Sequence, residues 1–161
     1  MTPQQTAEAV RAAMFASDRA SQALGLEVIA IAPGTATLAM TVRADMLNGF
    51  ETCHGGMIAT LADSAFAFAC NSRDALTVAS GFAIDIVAPA RLGDRLSAAA
   101  VEVSLTGRTG VYDVSVKNQR DELVAAFRGR SYRLKGRTVL QPEQPLPASV
   151  DSVDSVRPTQ G

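Results

Sequence analysis

The sequence predicts an α+β domain in which a curved antiparallel sheet wraps one long central helix. Three observations carry this. Residues 55–72 contain Met57, Ile58, Leu61, Ala62, Ala65, Phe66, Ala67, Phe68, Ala69 and Cys70, an apolar set covering every face of a helix and so marking it as buried. Two strand-like segments precede this helix and four follow it. Strands and helices do not alternate as βαβ units, so a doubly wound parallel sheet is disfavoured.

A helix start comes first, with Thr2 as N-cap, Pro3 at the first helical position and Gln5 closing a capping box. This helix is expected to run to about Ser21, with Ala7, Val10, Met14 and Phe15 on one apolar stripe. The period then changes to two. A strand from Leu24 to Ala32, a Pro33-Gly34-Thr35 turn and a second strand form a hairpin, with Leu38, Met40 and Val42 opposite Thr37, Thr41 and Arg43. The loop Asp45–Cys53 leads into the central helix, and Asn71 to Asp74 break it. Leu76–Ala88 is the third strand, with Phe82, Ile84 and Ile86 on one face. Pro89, Gly93 and Asp94 mark a turn before a fourth strand, Leu96–Leu105. Tyr112, Val114 and Val116 alternate with Asp113, Ser115 and Lys117 in the fifth, and Leu123–Leu134 is the sixth. The last four strands read as a hairpin-connected meander. The domain plan is thus an N-terminal helix over 1–22, a sheet-and-helix domain over 23–137, and a Pro/Ser-rich tail over 138–161 expected to be disordered.

With 161 residues, 47% of them hydrophobic, the chain can bury a substantial core, but 5% aromatic content and no Trp mean aliphatic packing. A net charge of −1 makes no electrostatic case for nucleic acid or an anionic membrane. Cys53 and Cys70 lack CxxC spacing and a secretory context, so reduced thiols in a cytoplasm are expected. There is no signal-peptide layout and no bilayer-length apolar run. One His, two dispersed Cys and no carboxylate cluster offer no metal-ligand pattern, and no cofactor is expected.

Chemistry concentrates in the central stretch. Asp63 is the one formal charge between Thr52 and Ser72, and an isolated carboxylate in an apolar helix needs a partner or a task. His54, the chain's one histidine, stands at the helix entrance before Gly55-Gly56. A helix N-terminus exposes unpaired N–H groups and the positive end of the macrodipole. A glycine there lets a carbonyl oxygen approach closely, giving an oxyanion site at Gly55. Asp63 would then act as a general base for water or as a nucleophile forming a mixed anhydride. Eight helical residues separate Gly55 from Asp63, about 12 Å along the axis, so one carbonyl group cannot touch both groups of one helix. If both act on one carbonyl, they come from different subunits. Structural readings compete: a carboxylate held by backbone donors, a histidine that only caps, glycines that only allow close packing, an Asn48 that only shapes its turn, and an Arg91 that is a solvated surface charge.

Asn48-Gly49, Cys53-His54-Gly55-Gly56, Leu61-Ala62-Asp63 and Ala69-Cys70-Asn71-Ser72, followed by Pro89 with Arg91 and by Phe127-Arg128-Gly129-Arg130-Ser131, resemble the hotdog-fold acyl-CoA thioesterases, nearest to the phenylacetate-degradation (PaaI-type) group. The resemblance covers roughly Leu24 to Lys135 and implies a hotdog fold. It further implies hydrolysis of an aryl or medium acyl-CoA and paired sites in a homodimer within a homotetramer. It assigns Asn48 to orienting the thioester or water and His54 to the site entrance, and it places Ser80 near a water-positioning hydroxyl. Arg91 is a candidate contact for the CoA phosphates, because guanidinium binds phosphate bidentately. Phe50 departs from the pattern, standing where relatives often carry His. Two other functions remain open at this level: a non-catalytic acyl-CoA binding module, and a hotdog hydratase or dehydratase.

Overall fold

The structure, a computed structural model, describes residues 1–141. The expectation of a disordered tail falls mostly on residues 142–161, which lie outside the described residues. Its boundary moves, because the last strand continues to Thr138 and the Asp74 carboxylate accepts from the N–H groups of Val139 and Leu140.

The N-terminal helix is two helices, α1 (Pro3–Ser17) and α2 (Arg19–Ala23). Thr2 and Gln5 form the expected capping box on α1. The continuous helix to Ser21 is corrected at Asp18, whose carboxylate instead accepts from the backbone N–H and the hydroxyl of Ser21 and so starts a new helix. Hairpin β1 (Glu27–Ala32) and β2 (Thr35–Thr41) follows, with Gly34 supplying a φ of 80° in its turn. Leu38, Met40 and Val42 are buried as the alternation requires. After a 3-10 turn at Ala44–Met46 comes the central helix α3 (Gly55–Asn71), then β3 (Ala75–Ile86), β4 (Arg95–Thr106), β5 (Thr109–Lys117) and β6 (Leu123–Thr138).

All neighbouring strands are antiparallel, in the order β1-β2-β4-β5-β6-β3. This corrects the four-strand meander. Only β4, β5 and β6 are joined hairpin to hairpin, while β3 pairs with β6 at the far edge and β4 pairs with β2. The reason lies in residues 87–94. Eight residues reach roughly 25 Å when extended, enough to cross the three strand spacings between β3 and β4. Tertiary bonds hold this segment across the sheet end: Ala90 O accepts from Cys53 N at 2.8 Å, and Val42 N donates to Asp94 O at 2.9 Å.

The helix packs on the concave face, with Leu61, Ala62, Ala65, Phe66, Phe68 and Ala69 at 0% exposure. Gly129 of β6 lets the Phe66 ring approach, since a Cβ there would meet three ring atoms at 2.9 Å. Phe66 also lies against Tyr112 and Phe127, at centroid distances of 5.5 and 5.9 Å. One helix is about 10 Å wide and six strands span about 24 Å, so the sheet edges lie beyond its cover. Phe82 and Ile86 of β3, expected on one face of the strand, are therefore 44% and 46% exposed.

Asn71 locks the helix end to β3. Its amide nitrogen donates to the carbonyls of Ala67 and Thr77, and its oxygen accepts from Thr77 N at 2.9 Å, with both bonds to Thr77 buried. Asn71→Ala strands these groups without partners and is expected to cost about 1–3 kcal/mol, read from urea unfolding.

Candidate active site

The entrance to α3 is built by four backbone ties. His54 N donates to Met46 O, Cys53 N donates to Ala90 O, and isolated bridges pair Leu47 with Cys53 and Thr52 with Arg91. His54 is the N-cap: its Nδ1 accepts from Gly56 N at 3.1 Å, which puts the ring proton on Nε2. The His54 carbonyl accepts from Met57 N at 2.9 Å and Ile58 N at 3.4 Å. The Gly55 N–H finds no acceptor among the described residues. Its Cα has room for no side chain while Ile86 stays in place, since a Cβ would sit 2.8 Å from Ile86 Cδ1. The helix thus begins with one free donor at the positive end of its dipole.

Asn48 is absorbed by its own loop. Its Oδ1 accepts from Phe50 N at 2.9 Å and from Thr52 N at 3.2 Å, and its Nδ2 donates to Thr52 Oγ1 at 3.0 Å. This is an Asx turn, and Glu51 completes it with a φ of 59°. Thr52, which no sequence signal singled out, holds the amide in place.

Two turns along α3, the Asp63 carboxylate accepts no hydrogen bond and makes no ion pair among the described residues. Burial pushes its pKa above the ordinary carboxylate value. The reading of a carboxylate held by backbone donors finds no donor here. Gly56, Thr60, Asp63 and Ala67 recur at helical spacing and are all at least partly open to solvent. The expected all-round burial of the helix is therefore corrected: in the single chain this small-residue stripe has no cover, because the sheet takes only the opposite side.

Ser80 lies on β3 beside a bulge, its hydroxyl donating to Arg130 O at 3.2 Å. Arg91 opens a turn whose N–H is held by Asp94 Oδ2 at 2.8 Å, and that bond keeps the Asp94 carboxyl below the usual carboxylate range. Asn48, His54, Gly55 and Arg91 thus gather at one end of the helix, while Asp63 stands apart from them. Both cysteines are free and buried, and burial pushes the Cys70 thiol up to about 12, which leaves it protonated and inert. Among the described residues no group of three or more His, Cys, Asp or Glu is placed to hold a metal ion. No helix among them is long and apolar enough to cross a membrane.

A six-stranded antiparallel sheet closed on one central helix is the hotdog architecture. Residues 50–125 match the family model of the thioesterase superfamily. The chain is 46% identical over 124 residues to the acyl-coenzyme A thioesterase PaaI of Escherichia coli K12, covering 77% of this chain and 89% of that protein. A putative esterase of Archaeoglobus fulgidus is 36% identical over 81% of this chain and 84% of its own length. The solved E. coli PaaI structure superposes with a TM-score of 0.83, over 85% of this chain and 99% of that one, at 43% identity. A mutant of the phenylacetic acid degradation protein PaaI from Thermus thermophilus gives a TM-score of 0.70 at 46% identity, over 73% of this chain and 100% of that one. The chain belongs to the thioesterase superfamily, in its PaaI-type group.

Proposed function

We propose that the protein hydrolyses the thioester of an aryl or medium-chain acyl-CoA, releasing the free acid and CoA, at a site shared by two subunits. The observation that carries this is the pair of unused groups on one helix: the free Gly55 N–H and the unpartnered Asp63 carboxylate. About 12 Å of helix separates them, so each completes a site with the other's counterpart from a second copy whose helix runs antiparallel. Two features support that assembly. The stripe at Gly56, Thr60, Asp63 and Ala67 lets two helices approach closely. The twelve-residue β3 leaves one edge unpaired, with Phe82 and Ile86 exposed beside it, and such edges invite another strand.

In the reaction the thioester carbonyl oxygen accepts from Gly55 N–H, next to the dipole end that the His54 cap keeps in register. Asp63 of the other subunit takes a proton from water as the water oxygen attacks the carbonyl carbon. The tetrahedral oxyanion is held by Gly55, then the C–S bond breaks and the CoA thiolate leaves, taking up a proton. Direct attack by the Asp63 carboxylate would give a mixed anhydride that water then cleaves. Label in Asp63 after a single turnover in ¹⁸O-water would identify the second route with water attacking the Asp63 carbonyl of the anhydride, whereas attack at the acyl carbon puts the label in the product acid, as the general-base route does. Asn48 shapes the loop that flanks the carbonyl, and Ser80 and Arg91 lie at the borders of the site. Two reduced, buried thiols suit a reducing cytoplasm. The dimer is the minimal active unit, with tetramer formation expected by sedimentation.

A protein from Streptococcus mutans, 26% identical with a TM-score of 0.67, was solved bound to acetyl-CoA, which supports the same ligand class here. The test is a panel of aromatic and aliphatic acyl-CoAs with a thiol reagent. Release of free CoA, fastest with an aryl or medium acyl group, is expected. Tight binding without thiol release would make the chain a sensor, and water addition without thiol release would make it a hydratase.

A further inference from the structure

We infer that a small monovalent anion of halide size binds beyond the C-terminal end of α3, between the Ser131 hydroxyl and the Arg133 guanidinium of β6. The site stands at the opposite end of the helix from Gly55, apart from the thioester chemistry.

Strand register places the two residues. Ser131 pairs with Ala79 and Gly110, and Arg133 pairs with Thr77, whose N–H donates to Asn71, the last residue of α3. Alternate residues of a strand share one face and stand about 6.6 Å apart, so one acceptor between the side chains is within reach of both donors. That face is the inner one. Ser131 is 2% exposed, and a Cβ on Gly110 would lie 2.6 Å from Ser131 Oγ and 2.9 Å from Cε2 of the buried Tyr112. Glycine opposite Ser131 thus leaves the hydroxyl its place against the core.

Among the described residues, Ser131 Oγ and Arg133 Nε are the two fully buried side-chain polar atoms with no hydrogen-bond partner. A buried donor left unpaired is costly, and two of them on one face of one strand indicate a shared ligand. Charge selects its kind. The Glu102 carboxylate on this side is already committed: Arg73 donates to both of its oxygens, and the Tyr112 hydroxyl donates to Oε2 at 2.9 Å. Burial raises the Glu102 pKa, but Arg73, Tyr112 and, at longer range, Arg133 outweigh it and hold the carboxyl below its usual range. Asp74, the acid that follows α3, accepts from the N–H groups of Val139 and Leu140. Arg133 itself forms no ion pair among the described residues.

Two guanidiniums therefore face one carboxylate, which leaves one positive charge over. Water would satisfy both donors and leave that charge, and a cation would add to it. An anion answers the hydrogen bonds and the charge together. Two donors suit a monatomic acceptor, because a phosphate or carboxylate would bring further oxygens into a wall that offers them no partner.

Thermal melts in sodium chloride and in sodium gluconate at equal ionic strength test the site, since gluconate is too bulky to enter it. Wild type should melt about 2–4 °C higher in chloride, with a saturable dependence on its concentration. Ser131→Ala should melt at or above wild type in gluconate, where it removes an unpartnered buried hydroxyl, and below wild type in chloride, where it removes a contact to the anion. Arg133→Gln should lose the chloride increment. A wild-type crystal soaked in bromide gives a readout that depends on no variant: an anomalous peak between Ser131 Oγ and Arg133 Nε. Equal melting of wild type in the two salts, variants that keep the increment, or a bromide map without that peak would each overturn the site. A peak without a chloride increment would mark an adventitious ion only, and would overturn it as well.

Discussion

Replacing Asp63 by Asn is expected to lower thioester turnover by about 10²–10⁴-fold while leaving the protein folded and at least as stable. The two halves of this expectation have one cause. The carboxylate sits in a helix whose neighbours are apolar, receives no donor, and is left with a pKa raised by burial. A raised acid pKa means that the folded chain binds the proton more tightly than the unfolded chain. Stability therefore falls as pH rises through a window that begins at the ordinary value of 3.8 and ends at the raised value. Above the window the penalty is constant. Asn has nearly the same shape and never carries the charge, so Asp63→Asn should melt at or above wild type at neutral pH. The difference should shrink as pH drops below 3.8, where both side chains are neutral. Thermal melts across pH, with CoA release measured on the same samples, check both halves. Wild-type turnover by the variant would remove Asp63 from the chemistry, and a large loss of melting temperature would make it a structural group.

Two inactive chains are expected to restore each other. Gly55→Pro removes the free N–H itself, and the position tolerates the ring: Gly55 is the first helical residue, where proline's missing donor and fixed φ are harmless. The preceding His54, at ψ 132°, already has the extended backbone that proline requires before it. A Cβ at this position meets the tip of Ile86, a flexible side-chain end. Loss of one oxyanion donor is expected to cost about 10²–10³-fold in kcat. When Gly55→Pro and Asp63→Asn chains are made together, half of the dimers are mixed. One site of a mixed dimer then joins an intact Gly55 to an intact Asp63, so about a quarter of wild-type turnover should return. Sites contained within single chains would give no recovery above the parents. The same experiment therefore decides whether the length of α3 divides the active site between subunits.

Much of this site was legible residue by residue. Asp63 stood out because a charge in an apolar helix has no cheap explanation, and Gly55 because glycine at a helix start clears the way to an N–H. Helical rise then separated them by arithmetic. The capping box at Thr2 and the hairpin at Pro33-Gly34 were equally readable, since each depends on residues within a few positions of one another.

Other features have no such local signature. Periodicity reports which side of a strand is apolar, and β3 has the same alternation whether it lies beside β4 or across the sheet beside β6. The choice was made by bonds from Cys53 and Val42 to the 87–94 segment, contacts distant in sequence. The split of the N-terminal helix at Asp18 likewise depended on which donor its carboxylate found. The roles of Asn48 and His54 were open in sequence because each side chain has several possible partners. In the structure Asn48 is spent on Phe50 and Thr52, and His54 is spent on Gly56, which leaves Gly55 as the free donor. The sequence by itself determined the helix, its carboxylate and the strand inventory, because these follow from local propensity and period. The tertiary structure decided strand order and which N–H stays free, because those outcomes depend on hydrogen bonds between distant segments competing for the same partners.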